Sequence, residues 1–112
     1  MQELIKKIRA FAQDRDWEQF HSPKNLAMAL SVEVAEVVEH FQRLTQEESR
    51  RPDPARLEEI RQEIGYVMIY LVRLADQLGI DPLQAAEDKI RINQNKYPVE
   101  KSRGLAAKYT EL

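Results

Sequence analysis

A chain of 112 residues can build one hydrophobic core but not two, and it reads as a single domain over residues 1–112. Its formal charge of −2 leaves no strongly basic surface, which argues against polymeric nucleic acid as a partner. The absence of cysteine excludes disulfides, thiolate zinc sites and a cysteine nucleophile.

Leu4, Ile5, Ile8, Phe11 and Ala12 recur at intervals of three and four, the spacing of an amphipathic helix ending near Asp14. Charged residues interrupt this segment throughout, so it is neither a signal peptide nor a membrane anchor. No run approaches the roughly 20 apolar residues of a transmembrane helix, and a cytoplasmic protein is expected. The connection DWEQFHS leads to Ser22 before Pro23, a cap followed by proline in the first turn. The second helix is expected to run from there to about Glu48. SRRPDP breaks the pattern, and Asp53 before Pro54 starts a third helix reaching Leu78. Gly79 suits a left-handed terminator. Asp81 before Pro82 starts a fourth helix, expected to end near Lys96 ahead of Pro98. Residues 99–112, VEKSRGLAAKYTEL, read as a polar tail. No strand pattern stands out, and the fold class is all-α, a four-helix bundle with short connections.

The stretch SVEVAEVVEHF places Glu33, Glu36 and Glu39 at three-residue intervals in an otherwise apolar region. At about 100° per residue, Leu26, Leu30, Val34, Val37 and Phe41 define a core face, with Glu33 and Glu36 on its edge. Glu39 falls further round, toward solvent. On the third helix Ile60, Ile64, Val67, Leu71, Leu74 and Leu78 form the core stripe, with Glu59, Glu63, Tyr66 and Tyr70 on its flank. Each glutamate alone reads as a boundary residue paired with Arg or Lys. Three carboxylates converging from antiparallel helices would repel and lose hydration, and a divalent cation relieves both. Oxygen-only ligands select Mg²⁺, or Mn²⁺, over zinc, and Mg²⁺ works mainly with phosphate-bearing substrates. A di-iron bundle needs Glu-x-x-His on two helices, and the third helix has no histidine.

The run RDWEQFHSPKNLAMALSVEVAEVVEHFQ resembles the opening of the MazG-like all-α nucleoside triphosphate pyrophosphohydrolases, in their dCTP pyrophosphatase branch. The resemblance continues through QEIGYVMIYLVRLADQLGID, DKIRINQNKYP and the closing KYTEL, nearly the whole chain. It implies a MazG fold and an Mg²⁺-dependent hydrolysis of (deoxy)nucleoside triphosphates, with dCTP or related pyrimidines preferred. The products would be a monophosphate and pyrophosphate. The family motif pairs Glu-x-x-Glu on one helix with Glu-x-x-Asp on the next. Glu33, Glu36 and Glu63 match three positions, and Tyr66 stands where the Asp is expected. A phenol is a poor ligand for a hard cation. Three accounts are open: a weakened relative that still binds nucleotide, metal held by the three glutamates with phosphate and water, or Glu59 as the missing carboxylate.

The resemblance further implies Glu33, Glu36 and Glu63 as metal ligands. Of these, Glu36 and Glu33 are the catalytic candidates, with Glu36 expected to be the group that orients or deprotonates the attacking water. It carries Lys89 and Asn93, one turn apart on the fourth helix, toward the phosphates, with Arg103 and Lys108 as looser candidates. Tyr97 is either a substrate contact or a packing residue. Trp17, Phe20 and His21 form the expected base pocket, the rings for stacking and His21 for hydrogen bonding. Their bland alternative is an apolar plug over the helix ends. Tyr70 is expected beside the sugar, where a ring would crowd a ribose 2′-hydroxyl. The resemblance also implies a homo-oligomer, a tetramer or dimer, and the apolar residues exceed what one thin bundle can bury. The rivals are a non-catalytic nucleotide-binding protein and a purely structural helical oligomer.

Overall fold

The computed structural model describes residues 1–106 and residue 110. Among these residues six α-helices, α1 (Gln2–Asp14), α2 (Pro23–Glu39), α3 (Gln46–Ser49), α4 (Pro54–Gln77), α5 (Pro82–Lys96) and α6 (Val99–Ser102), are joined by loops and the 3-10 turn Glu18–Phe20. Among the described residues there is no strand, and the fold is all-α. The chain divides into two compact units, Met1–Gly79 and Ile80–Leu112. The first holds α1 to α4 and the second α5 and α6.

Local chemistry sets most of the boundaries. Three helices start at a capping side chain followed by proline. Ser22 accepts from the Asn25 amide at 3.2 Å, Asp53 from the Arg56 amide at 2.9 Å, and Asp81 from those of Leu83 and Gln84. Each cap satisfies an amide that has no partner within the helix, and proline in the first turn loses no bond it could have made. Gly79 ends α4 with φ at +69°, a conformation a Cβ would strain.

Two expected boundaries are corrected. The second helix stops at Glu39, not near Glu48, and a separate short helix, α3, follows. Thr45 caps α3 through the Glu48 amide while the Glu48 side chain accepts from the Thr45 amide, a reciprocal box that starts a new helix. Beyond Pro98 the segment read as a tail forms the single turn of α6, because Pro98 precedes that helix as its N-cap residue.

In the first unit α2 packs chiefly against α4, and α1 lies against α4. Contacts run in opposite order along the two helices. The His40 carbonyl accepts from Arg56 and the His40 ring faces Glu59, whereas Glu33 and Glu36 meet Glu63. Before α2 begins, His21 meets Arg73. α2 and α4 are therefore antiparallel, as expected.

The buried stripes are rotated from the expected ones. On α4, Ile60 is buried and Glu63, Val67, Tyr70 and Leu74 are half-buried, a spacing of three and four that puts Glu63 within the packed face rather than on its flank. On α2, Leu26 is buried and Leu30, Glu33, Val37 and His40 follow it along the same face. Val34, Ile64, Leu71 and Leu78, expected in the core, are 44%, 56%, 44% and 54% exposed. Apolar residues lie on two adjoining faces of α4, and periodicity alone does not say which face meets α2.

Val72, Arg73 and Ala75 are also buried. Arg73 is 4% exposed and reaches the His21 ring and Asp76, which Arg9 clamps through two nitrogens at 2.7 and 2.5 Å. Asp76 is held below the usual carboxylate range first by its hydrogen bond to Arg9, and in lesser part by the charges of Arg9 and Arg73. Replacing it leaves a buried guanidinium without its counter-charge. Asp76→Ala is expected to destabilise the fold by roughly 2–3 kcal/mol in urea unfolding, less than a fully buried pair because Arg9 is half-exposed. A loss under about 0.5 kcal/mol would contradict it.

Candidate active site

Glu33, Glu36 and Glu63 each offer a carboxylate oxygen, and these lie within 4.8 Å of one another. All three side chains are half-buried at the α2–α4 face. Glu63 Oε2 is buried and has no hydrogen-bond partner. Fully ionised, the three groups are acceptors only, so none can satisfy another. Glu36 is accordingly pushed above the ordinary carboxylate value, first by hydrogen bonding with Glu63 and then by its charge. Glu63 is raised first by hydrogen bonding with Glu33 and then by burial. Such bonds require a proton held within the cluster. A hard divalent cation could replace that proton and satisfy the orphaned oxygen, and the donor set, carboxylate oxygen throughout, fits it.

A pH dependence follows. Groups whose folded pKa is raised contribute stability that is fully present below their unfolded value of 4.5. That contribution is lost as pH rises through the folded values. In a chelator the Tm of the parent protein relative to Glu63→Gln is therefore expected to fall between about pH 5 and about pH 8, with Mg²⁺ restoring more of it at the higher pH. The comparison cancels the opposite contribution of His21, whose pKa is lowered by burial. Equal Mg²⁺ shifts at both pH values would contradict this.

Glu59 lies outside the cluster. It is 68% exposed, and its carboxylate sits 3.9 Å from His40 Nδ1. Glu39 is exposed. Tyr66, one turn after Glu63, is 52% exposed and stacks on Tyr70, with ring centroids 6.2 Å apart and planes inclined by 16°. Tyr70 is half-buried, and burial, followed by the Glu33 charge, raises its phenol pKa.

Both tyrosines line a cleft of about 490 Å³. Trp17, His21 and Arg73 share its walls with Phe11, Ile8 and Ile69. The local sequence aims these rings. Asp16 takes a left-handed φ of 54°, tolerable for an aspartate, and turns the chain into the 3-10 segment. Trp17 then meets Phe11 edge-on at 5.6 Å and His21 at 6.4 Å. Phe20 is 59% exposed and is not among the residues lining the cleft. The cleft is thus an aromatic slot on the same helix, α4, that carries Glu63.

Lys89 and Asn93 are exposed and one turn apart on α5, and the Asn93 carbonyl accepts from the amide of Tyr97, which is half-buried. Arg103 follows α6 as its C-cap. Lys108 lies outside the described residues. Sequence reasoning missed Arg73 and Lys7 in the cleft wall. The signal for Arg73 was a lone cation in the apolar run YLVRLA.

A family model described as MazG-like matches residues 28–112. The chain belongs to the MazG-like family. This MazG-like chain is 43% identical over 113 residues to a dCTP pyrophosphatase 1 of Bos taurus, covering 98% of the chain and 67% of the relative. It is 42% identical to the dCTP pyrophosphatase 1 of Homo sapiens, covering 98% of the chain and 66% of the relative. The chain spans about two thirds of the length of these relatives. Among solved structures it is similar to that of a pyrophosphatase from Archaeoglobus fulgidus, with a TM-score of 0.83 and 40% identity. That match covers 88% of this chain and 92% of the other.

Proposed function

We propose that the protein hydrolyses deoxynucleoside triphosphates, with dCTP or a related pyrimidine nucleotide as substrate, to the monophosphate and pyrophosphate. The observation that carries this reading is the convergence of Glu33, Glu36 and Glu63 in a chain so similar to dCTP pyrophosphatases. The carboxylates would hold Mg²⁺, whose charge offsets that of the phosphates. Glu33 and Glu63 serve as ligands. Glu36 also accepts a proton from the water that attacks the α-phosphorus, a task its raised pKa suits. The bond from that phosphorus to the bridging oxygen breaks, and pyrophosphate leaves. Lys89 and Asn93, with Tyr97 near the end of the same helix, are the phosphate-facing groups of this reading.

The cleft takes the base. Trp17 supplies the stacking surface, His21 a hydrogen bond, and Tyr70 the contact with the sugar. Phe20, exposed and outside the cleft lining, has no part in base binding. Trp17→Ala is expected to raise the KM for dCTP by roughly 5- to 100-fold, the range of one lost base–aromatic contact. An unchanged KM would remove the cleft from the account.

Further copies of the chain complete the assembly, a tetramer or a dimer. Leu57, Ile64 and Leu71 on α4 and Leu78 at its C-cap recur every seventh residue and are all exposed, an apolar stripe of the kind that covers itself in an oligomer. Among the described residues no helix is long and apolar enough to cross a membrane, and we place the protein in the cytoplasm. Incubation with each dNTP and Mg²⁺, followed by separation of products, tests the reading. It requires dCMP and pyrophosphate in equal amounts. Saturable dCTP binding without turnover would instead support a nucleotide-binding relative weakened by Tyr66.

A further inference from the structure

The proposed reaction makes no use of the buried cation in the cleft wall. Arg73 Nε donates to His21 Nδ1 at 3.3 Å, and Arg73 Nη1 lies 3.7 Å from Asp76 Oδ2. Arg9 donates to both oxygens of Asp76. A guanidinium offers donors only and keeps its proton. The ring nitrogen it faces must therefore carry the lone pair, and the ring proton must sit on Nε2. A doubly protonated ring would set donor against donor. Burial first, and then the Arg73 charge, hold the His21 pKa below its ordinary value. Both side chains line the cleft beside Trp17.

We propose that Arg73, anchored by Asp76 and Arg9, is a positioning residue that locks His21 as the neutral Nε2–H tautomer, giving the cleft a fixed N–H donor for an acceptor on the edge of the bound base. This rests on the cleft being the base site. The bases it selects carry a nitrogen or carbonyl acceptor on that edge, as cytosine does at N3 and O2. Stacking on Trp17 accepts any flat ring, so a donor of defined position supplies discrimination that stacking lacks. An unlocked imidazole would divide its proton between two nitrogens and present an acceptor in part of the population.

Long-range ¹H–¹⁵N correlation spectra of the ligand-free protein at neutral pH read the tautomer directly. The signals of His21 are separated from those of His40 with His21→Phe. The expected pattern is a proton on Nε2 in the parent protein and a mixture in Arg73→Met. The same variant is expected to raise the KM for dCTP about tenfold while lowering kcat much less. Asp76→Asn, which keeps Arg73 but loosens its anchor, serves where Arg73→Met does not fold, and is expected to shift the spectrum in the same direction. A proton on Nδ1 in the parent protein, or a spectrum unchanged in the variants, overturns the lock. A shifted tautomer with unchanged KM overturns the donor role. Failure of the base-site reading looks different: Trp17→Ala would leave KM unaltered while the His21 spectrum of the parent protein still shows the Nε2 proton.

Discussion

Glu63→Gln is expected to lower turnover of dCTP by roughly two to three orders of magnitude while leaving the metal-free fold as stable as before, or more so. The two halves of this result come from one cause. Glu63 is half-buried between Glu33 and Glu36, with one oxygen lacking any partner, and its pKa is raised by those surroundings. An amide of the same shape removes the charge and brings two N–H donors to two acceptors. A residue retained for packing would not behave this way, since an isosteric change would leave activity intact. A residue retained for an ion pair would lower the Tm when neutralised. Circular-dichroism melts in a chelator, run beside a product assay, separate these cases. Loss of activity together with a Tm drop of more than a few degrees would point to misfolding.

Tyr66→Asp carries the second large effect, and it divides between two measurements. A carboxylate one turn after Glu63 would add a fourth oxygen donor beside the cluster, and Mg²⁺ affinity is expected to rise about tenfold or more. The substitution also removes the ring that stacks on Tyr70 and forms part of the cleft wall. KM for dCTP is therefore expected to rise several-fold even as the Mg²⁺ requirement falls. Turnover at saturating nucleotide and low Mg²⁺ should increase. No gain in Mg²⁺ affinity would mean that Tyr66 does not stand at a ligand position. Glu59 offers no substitute, because its exposed carboxylate faces His40.

The helix starts were legible because the signals are local. Ser22-Pro23, Asp53-Pro54 and Asp81-Pro82 each pair a side-chain acceptor with a residue that cannot donate, and all three open helices. The break after Glu39 was missed because neither glycine nor proline marks it. The cue there was the start of α3, Thr45 with Glu48 three residues on. The glutamates could be singled out by their spacing within an apolar region, but their depth could not. Placing them on the edge of the stripe assumed that Val34, Ile64 and Leu71 face inward, and those residues are exposed. Which of two apolar faces meets the neighbouring helix depends on tertiary packing that a single-helix projection does not contain. Arg73 illustrates the same limit. A buried guanidinium is tolerable only with its partners, and Asp76 and Arg9 become partners only once α1 lies against α4.

The proposed reaction depends on carboxylates from α2 and α4 sharing one divalent ion. Titrating Mn²⁺ into the protein with a dCTP analogue whose α,β-bridging oxygen is replaced by methylene, and following free Mn²⁺ by electron paramagnetic resonance, tests it most directly. Saturable binding is expected in the parent protein, and its loss in each of Glu33→Gln, Glu36→Gln and Glu63→Gln. Binding that survives unchanged in all three variants, or that is missing from the parent protein, would contradict it.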